Sequence, residues 1–283
     1  MSKTTLSIRR SDGRIFSIDD LLWRLTAVSG LDKPNIEIYT QKAAIGAGDL
    51  ITGERVGSRA IDITATTRKP ELNDVSRRAA TSFFTPGRTY DVYVTRYGSQ
   101  RYAADCRLDS IEIPTDNQYS PITLKLSLLC PEGYFLSADS FGKNIAGVTE
   151  RAGWPYVALS GYGRICGVYA YAGTVYLDND GDAEAYCKAV FIAKGSVVNP
   201  KLIAGNGYVR VLCTMADGDV LLIDGKTKSV TLNGVNAATM LDKASSFSGI
   251  VFGLGTNSIG YTADVGSNVL AVNVYYNKRY MGA

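Results

Sequence analysis

The chain has 283 residues, 46% of them hydrophobic and 20% charged, with a net charge of +3. At about 100–200 residues per domain this suggests two domains, each long enough to bury a core, and the balance excludes a disordered or fibrous chain. Residues 1–137 carry 18 Lys+Arg against 16 Asp+Glu and residues 138–283 carry 12 against 11, so neither half is a polybasic nucleic-acid binder. Arginine is nonetheless uneven, with 13 of 17 in the first part; this suits a protein interface as well as ordinary surface drift. The N-terminus lacks the apolar run of a secretory leader, and no window approaches the ~18 apolar residues of a membrane-spanning helix.

In chain order, TLSIRRSDGRIFSI reads as a hairpin about Ser11-Asp12-Gly13. The segment Leu21–Gly30 fits a short helix and a covered loop equally. NIEIYTQ and SRAIDITATT alternate as strands, and between them Lys42–Gly57 reads as a long polar connection of the kind that is usually functional or mobile. ELNDVSRRAATSFF predicts a helix with Asn73 or Asp74 as N-cap and Val75, Ala79 and Phe83 as its apolar stripe, stopped by Pro86-Gly87. A second hairpin turns about Tyr97-Gly98-Ser99, and SPITLKLSLLCPEGYFL is a strand ended at Cys130-Pro131-Glu132-Gly133. After Ser137 glycine becomes frequent and short strands recur at roughly 8–12-residue spacing, the pattern of a sandwich or barrel. In GDVLLIDGKTKSVTLNG, Val220, Leu222, Val230 and Leu232 are expected to form a hairpin's core face. Leu221 and Ile223 are apolar as well, as for a strand covered on both sides.

The residues that carry chemistry are sparse. There is no His, so neither a Ser-His-Asp nor a Cys-His pair exists, and no enzyme activity, cofactor or metal is expected. The five Cys (106, 130, 166, 187, 213) are odd in number and scattered, which argues against a disulfide framework and for folding in a reducing compartment. Asp178-Asn179-Asp180-Gly181-Asp182 invites a calcium reading. A loop of the EF type wants Gly sixth and Glu twelfth, where Ala183 and Ala189 stand, so a turn is the better account. The fragments Gly161-Tyr-Gly163 and Gly253-Leu-Gly255 open no amphipathic helix and read as tight turns. The 18 Tyr raise a carbohydrate hypothesis, but Tyr is an ordinary strand residue, and Tyr275-Tyr276 point to opposite faces.

Taken in order along the chain, GERVGSRAIDITATT, NDVSRRAATSFFTPG, TYDVYVTRYGSQRYAADCRLDSIEI, LSLLCPEGYF, NDGDAEAYCKAVFIAKGSVVNPKL, MADGDVLLIDGKTKSVTLNGVN, SSFSGIVFGLGTNSIGYT and NVYYNKRYMG resemble the distal tail proteins of long, non-contractile-tailed phages. The resemblance implies a mainly β chain. Residues 1–137 would form an N-terminal β-sandwich or split-barrel-like domain with one α-helix, and residues 138–283 a C-terminal galectin-like β-sandwich. The segment Gly142–Gly173 matches the family poorly.

The resemblance further implies a structural hub of the tail tip or baseplate. Copies of the first domain would pack into a hexameric ring that joins the tail tube protein to tail-tip and receptor-binding components, with a channel for DNA. The protein would be a virion component, assembled in the host cytoplasm, without membrane insertion. The low net charge suits a conduit through which DNA slides without sticking. Interface candidates are Arg59, Arg68, Arg77 and Arg78 with the segment Lys42–Gly57, which could reach a neighbour. The alternative is a carbohydrate-binding adhesion module in the second domain. Galectin sugar sites lean on His among other residues, and this chain has none, so sugar binding is not carried over.

Overall fold

The computed structural model describes residues 4–18, 20–32, 34–42, 48–114, 119–139, 141–150, 167–171, 174–205 and 207–283, with 141–150 and 167–171 described by backbone alone. The chain divides into two compact units, residues 1–138 with 279–283, and residues 139–278. The fold is mainly β, with one α-helix among the described residues.

The first unit contains β1 (Thr5–Arg10), β2 (Ile15–Ile18), β3 (Trp23–Ser29), β4 (Ile36–Lys42), β5 (Asp49–Val56), β6 (Arg59–Thr67), α1 (Asn73–Phe83), β7 (Thr89–Arg96), β8 (Ser99–Glu112), β9 (Thr123–Cys130) and β10 (Phe135–Ser137). Seven of these pair in the order β2-β1-β7-β8-β9-β6-β3, and β10 pairs with β8. Strict alternation on β1, β6, β7 and β9 turns Leu6, Ile8, Ile61, Ile63, Val92, Val94, Leu124, Leu126 and Leu128 onto one core. The segment left open between helix and loop, Leu21–Gly30, is largely strand β3. It pairs with β6 across a bulge between Leu25 and Ala27, and that bulge breaks the period that would have announced it.

Two expectations about α1 are corrected. Its buried residues are Ser76, Ala80 and Phe83, while Val75 is 56% exposed. The helix is rotated so that Phe83 meets Phe16 and Phe84, with ring centroids 5.3 and 4.9 Å away. Neither Asn73 nor Asp74 is the N-cap: the helix follows a 3-10 turn at Pro70–Leu72 and the cap is Leu72. The Asn73 side chain instead accepts from Thr67 Oγ1 at 2.8 Å and donates to the Ser120 carbonyl at 2.9 Å, which ties the helix start to β6 and to the approach to β9.

The far end of α1 is held by Arg10. Its Nη1 donates to the carbonyls of Ser82 and Phe83 at 3.1 and 2.8 Å, so a cation sits where the helix dipole is negative. Asp12 completes the arrangement by accepting from Nε and Nη2 of Arg10 at 3.0 and 2.6 Å.

The second unit contains β11 (Phe141–Glu150), β12 (Gly167–Tyr171), β13 (Thr174–Asn179), β14 (Ala185–Tyr186), β15 (Lys188–Ala193), β16 (Val197–Val198), β17 (Lys201–Ala204), β18 (Gly207–Arg210), β19 (Thr214–Met215), β20 (Val220–Asp224), β21 (Ser229–Leu232), β22 (Val235–Asn236), β23 (Val251–Phe252), β24 (Gly255–Thr262) and β25 (Leu270–Tyr276). A seven-stranded sheet, β12-β11-β25-β15-β20-β21-β22, and a four-stranded sheet, β13-β24-β17-β18, share one core that includes Phe191, Leu202, Leu221, Ile223, Phe252, Ile259 and Val272. This is a β-sandwich. On β20 the phase is opposite to expectation: Leu221 and Ile223 are buried, while Val220 and Leu222 face outward. Asp224 and Asn233 act as turn formers, accepting from the backbone N–H groups of Lys226 and Val220, both at 2.9 Å. The chain then returns to the first unit as β26 (Arg279–Tyr280), which pairs with β10.

The expectation of no disulfide is overturned. Cys106 and Cys130 are 24 residues apart in sequence, yet the register of β8 with β9 sets them opposite, Cα atoms 4.1 Å apart, and they are bonded. Sequence spacing could not reveal a pair made by strand register.

The fold yields two predictions. Burial pushes the Cys187 thiol up to about 12, so alkylation of the native protein at pH 8 should leave Cys187 unmodified, and reduction of the unfolded chain should add two reactive thiols to the count. The Arg10 guanidinium holds the Asp12 carboxyl well below the ordinary carboxylate range. A depressed pKa gives stability that is present above the usual value near 4 and lost as pH falls. The stability difference between the native chain and Asp12→Asn, followed by thermal melts, should therefore be constant from about pH 5 to 7 and shrink at lower pH.

Candidate functional site

The four arginines singled out from the sequence occupy different settings. Arg59, at the start of β6, is only 3% exposed. Its Nη1 donates to the carbonyls of Gly30 and Asp32 at 2.6 and 2.7 Å. Its Nε and Nη2 donate to the Gly133 carbonyl at 3.0 and 2.8 Å, and Nη2 also reaches the Met281 carbonyl. The guanidinium lies 4.6 Å from the centre of the Phe135 ring. Arg59 is thus an internal clamp, and its place among the interface candidates is corrected. Burial lowers its pKa, with the charge of Asp32 opposing the shift.

The backbone around Arg59 is shaped for it. Gly30 has φ +79°, and a Cβ there would overlap the carbonyl oxygen of Ala60. The returning tail is held by a second clamp. Arg101 Nη1 donates to the Gly282 carbonyl at 2.5 Å, its guanidinium lies 3.8 Å from the Tyr280 ring centre, and the Ala283 N–H donates to the Leu31 carbonyl at 2.8 Å.

Arg68, Arg77 and Arg78 are exposed. Arg68 follows β6, with its backbone N–H on the Leu22 carbonyl at 3.0 Å and its side chain on that of Asp20. Arg78 lies on the face of α1 opposite Ser76, Ala80 and Phe83, one turn beyond the exposed Val75, and Arg77 lies on the flank of that buried stripe.

The segment Lys42–Gly57, expected as a long irregular connection, is in large part strand β5. It pairs with β4 from Ile36↔Val56 to Lys42↔Asp49, making a two-stranded ribbon of its own; residues 43–47 lie outside the described residues. The register shift between Tyr39 and Thr40 leaves Thr52 unpaired, which broke the alternation in sequence. One face of the ribbon carries Glu37, Tyr39 and Arg55, joined by hydrogen bonds of 3.0 and 2.8 Å to Glu37. The register places Ile36, Ile38, Ile51 and Val56 on the other face, and the three isoleucines are 45%, 56% and 71% exposed.

Around Asp178–Asp182 the side chains shape a turn. Asn179 is 1% exposed and donates to the carbonyls of Ala183, Phe252 and Gly253 at 3.0–3.2 Å. Asp180 pairs with Lys278. Among the described residues no group of three or more His, Cys, Asp or Glu is placed to hold a metal, and no helix is long and apolar enough to cross a membrane. The poorly matched segment Gly142–Gly173 lies partly outside the described residues, and only its backbone strands are described.

The chain is thus mainly β in two units, and the first exposes large apolar side chains on the β4–β5 ribbon and arginines on a packed helix. Residues 180–280 match the family model of the siphovirus-type tail component, C-terminal domain. Among solved structures, the Dit (gp 19.1) protein of SPP1, described as a paradigm of the hub adsorption apparatus in phages infecting Gram-positive bacteria, superposes with a TM-score of 0.63 at 13% identity, over 97% of this chain and 98% of that one. A chain of the phage P2 baseplate in its activated conformation with Ca gives 0.54 at 10% identity, over 98% of both chains. The same baseplate with Sr gives 0.56 at 10% identity, over 96% of this chain and 98% of that one. No match was found among curated protein sequences. The likeness to distal tail proteins read from the sequence is therefore borne out, by the family match over the second unit and by the fold over nearly the whole chain.

Replacing Arg59 by Met should lower unfolding free energy by at least about 3 kcal/mol, because carbonyls of several chain segments lose a buried donor. Gly30→Ala should cost about 2 kcal/mol or more through its positive φ and the close carbonyl. Denaturant titration measures both.

Proposed function

We propose that this protein is a structural hub of a siphophage tail tip or baseplate, a virion component whose six copies close a ring through the first unit. The ring joins the tail tube protein to the tail-tip and receptor-binding components and leaves a channel for DNA. The observation that carries this reading is the fold shared with the SPP1 hub protein over 97% of the chain, together with the family match at residues 180–280. The net charge of +3 suits a channel wall that does not retain DNA.

A closed ring needs two different, complementary patches on each copy. The ribbon β4–β5 is one: a two-stranded ribbon is marginal alone in water, and this one exposes Ile36, Ile38, Leu50 and Ile51. The outer face of α1, with Arg77 and Arg78, and the nearby Arg68 are further contacts in this reading. Arg59 is not among them, because it is occupied inside the unit.

Light scattering and negative-stain images of the purified protein should show six-fold rings of six 30.4-kDa chains. Arg77→Ala combined with Arg78→Ala should weaken ring formation about tenfold or more, with an unchanged melting curve, since both side chains are exposed. Full rings of the double variant at ordinary protein concentration would remove this helix face from the interface.

A further inference from the structure

No strand pairing joins the ribbon β4–β5 to the large sheet of the first unit: among the described residues its strands pair only with each other. What fixes it is its root, which has two legs. One leg carries Gly30, Leu31, Asp32, Pro34 and Asn35 and enters β4; the other, Val56 and Gly57, leaves β5 for Arg59. The Gly57 N–H donates to the Asn35 carbonyl at 2.8 Å and holds the legs together. Gly133 packs against both, so closely that a Cβ there would overlap the Val56 side chain and the Gly57 carbonyl oxygen and press on Pro34.

Residues 279–283 act on the same root. Tyr280 pairs with Phe135, and the Arg279 guanidinium lies 4.2 Å from the Tyr134 ring centre. Beyond β26 the backbone engages the first leg. The Ala283 N–H donates to the Leu31 carbonyl at 2.8 Å, and a Cβ on Gly282 would sit 3.3 and 3.4 Å from the carbonyl oxygens of Leu31 and Asp32. The Met281 carbonyl shares Arg59 with the carbonyls of Gly30 and Asp32, and Arg101 holds the Gly282 carbonyl.

Chain order gives this arrangement a meaning. N-terminal segments are made first and fold first. The ribbon is complete at Val56, whereas residues 279–283 follow Lys278, the last residue of the second unit. A two-stranded ribbon is marginal by itself in water, so with one leg short of these partners it opens and frays more readily.

We propose that residues 279–283 are a strap that fixes the root of the ribbon, and that a chain becomes competent to close a ring only after its second unit has been made and the strap has docked. This rests on the ring reading and adds a checkpoint to it: an incomplete chain offers its neighbours no fixed ribbon.

Two variants of the full chain undo the strap. Deleting Met281–Ala283 removes it outright. Gly282→Val keeps every hydrogen-bonding group but drives the strap off the Leu31 and Asp32 carbonyls. In protein too dilute to assemble, hydrogen exchange at the amides of residues 36–42 and 49–56 should be about tenfold or more faster in both variants, while β6 and β9 keep native protection and so report an intact sheet. Ring formation should then require about tenfold more protein. If ribbon exchange is unchanged in both variants, the ribbon is fixed without the strap and the proposal is overturned. If the ribbon loosens but rings form as in the native chain, the checkpoint is overturned while the ring reading stands. If the native chain forms no rings, the ring reading is overturned and the checkpoint with it, and exchange alone decides whether the strap holds the ribbon.

Discussion

A guanidinium has five N–H donors and no acceptor, so burying one obliges the chain to bring carbonyl oxygens to it from several directions. At Arg59 those oxygens come from three stretches far apart in sequence: Gly30 and Asp32, Gly133, and Met281. The first unit depends on that demand. It draws the β3–β4 connection, the approach to β10 and the end of the chain around one point, and it requires a glycine where the backbone passes closest to β6. Phe135 covers the cation with its ring face, which keeps the site dry without leaving the charge unattended. Arg10 works by the same logic at smaller scale, closing the end of α1.

The parts of the fold that were legible in sequence were those where one period ran unbroken. Strands β1, β2, β6, β7 and β9 and both hairpin turns in the first unit could be read from alternation and from Asp12-Gly13 or Tyr97-Gly98, and β8, whose own period is broken by two bulges, was read as the partner across the second turn. Strands β3 and β5 could not, because each contains a bulge that shifts the side-chain phase midway and neither is announced by a tight turn of the kind that marked β8. On α1 the apolar Val75 suggested the wrong face, since burial followed the aromatic cluster around Phe83, and Ser76 was carried inside with it. On β20 four consecutive apolar residues left the phase undetermined, and packing chose Leu221 and Ile223.

The interface candidates divide along a related line. Arginine excess pointed to the first unit, but residue type alone does not say which way a side chain turns. Arg77 and Arg78 face outward because the helix positions beside them are committed to the core. Arg59 faces inward because carbonyls, invisible in a sequence, are waiting for it. The stack of Arg9 on β1 over Tyr93 on β7, itself stacked on Tyr102 of β8, was equally hidden: only register sets the three side by side. For a protein that acts through surfaces, the informative residues are those that strand pairing assembles, and no linear motif records them.

The return of the chain as β26 has a consequence for how such a protein can vary. The first unit is left at Ala138 and re-entered at Arg279, and the strands on either side of that excursion, β10 and β26, are paired neighbours. In chain order the second unit is therefore an insertion between two paired strands of the first. Any folded domain whose ends lie close together could be inserted at the same point without altering a strand pairing of the first. A lineage could then exchange the inserted domain while the unit that holds Arg59 stays the same.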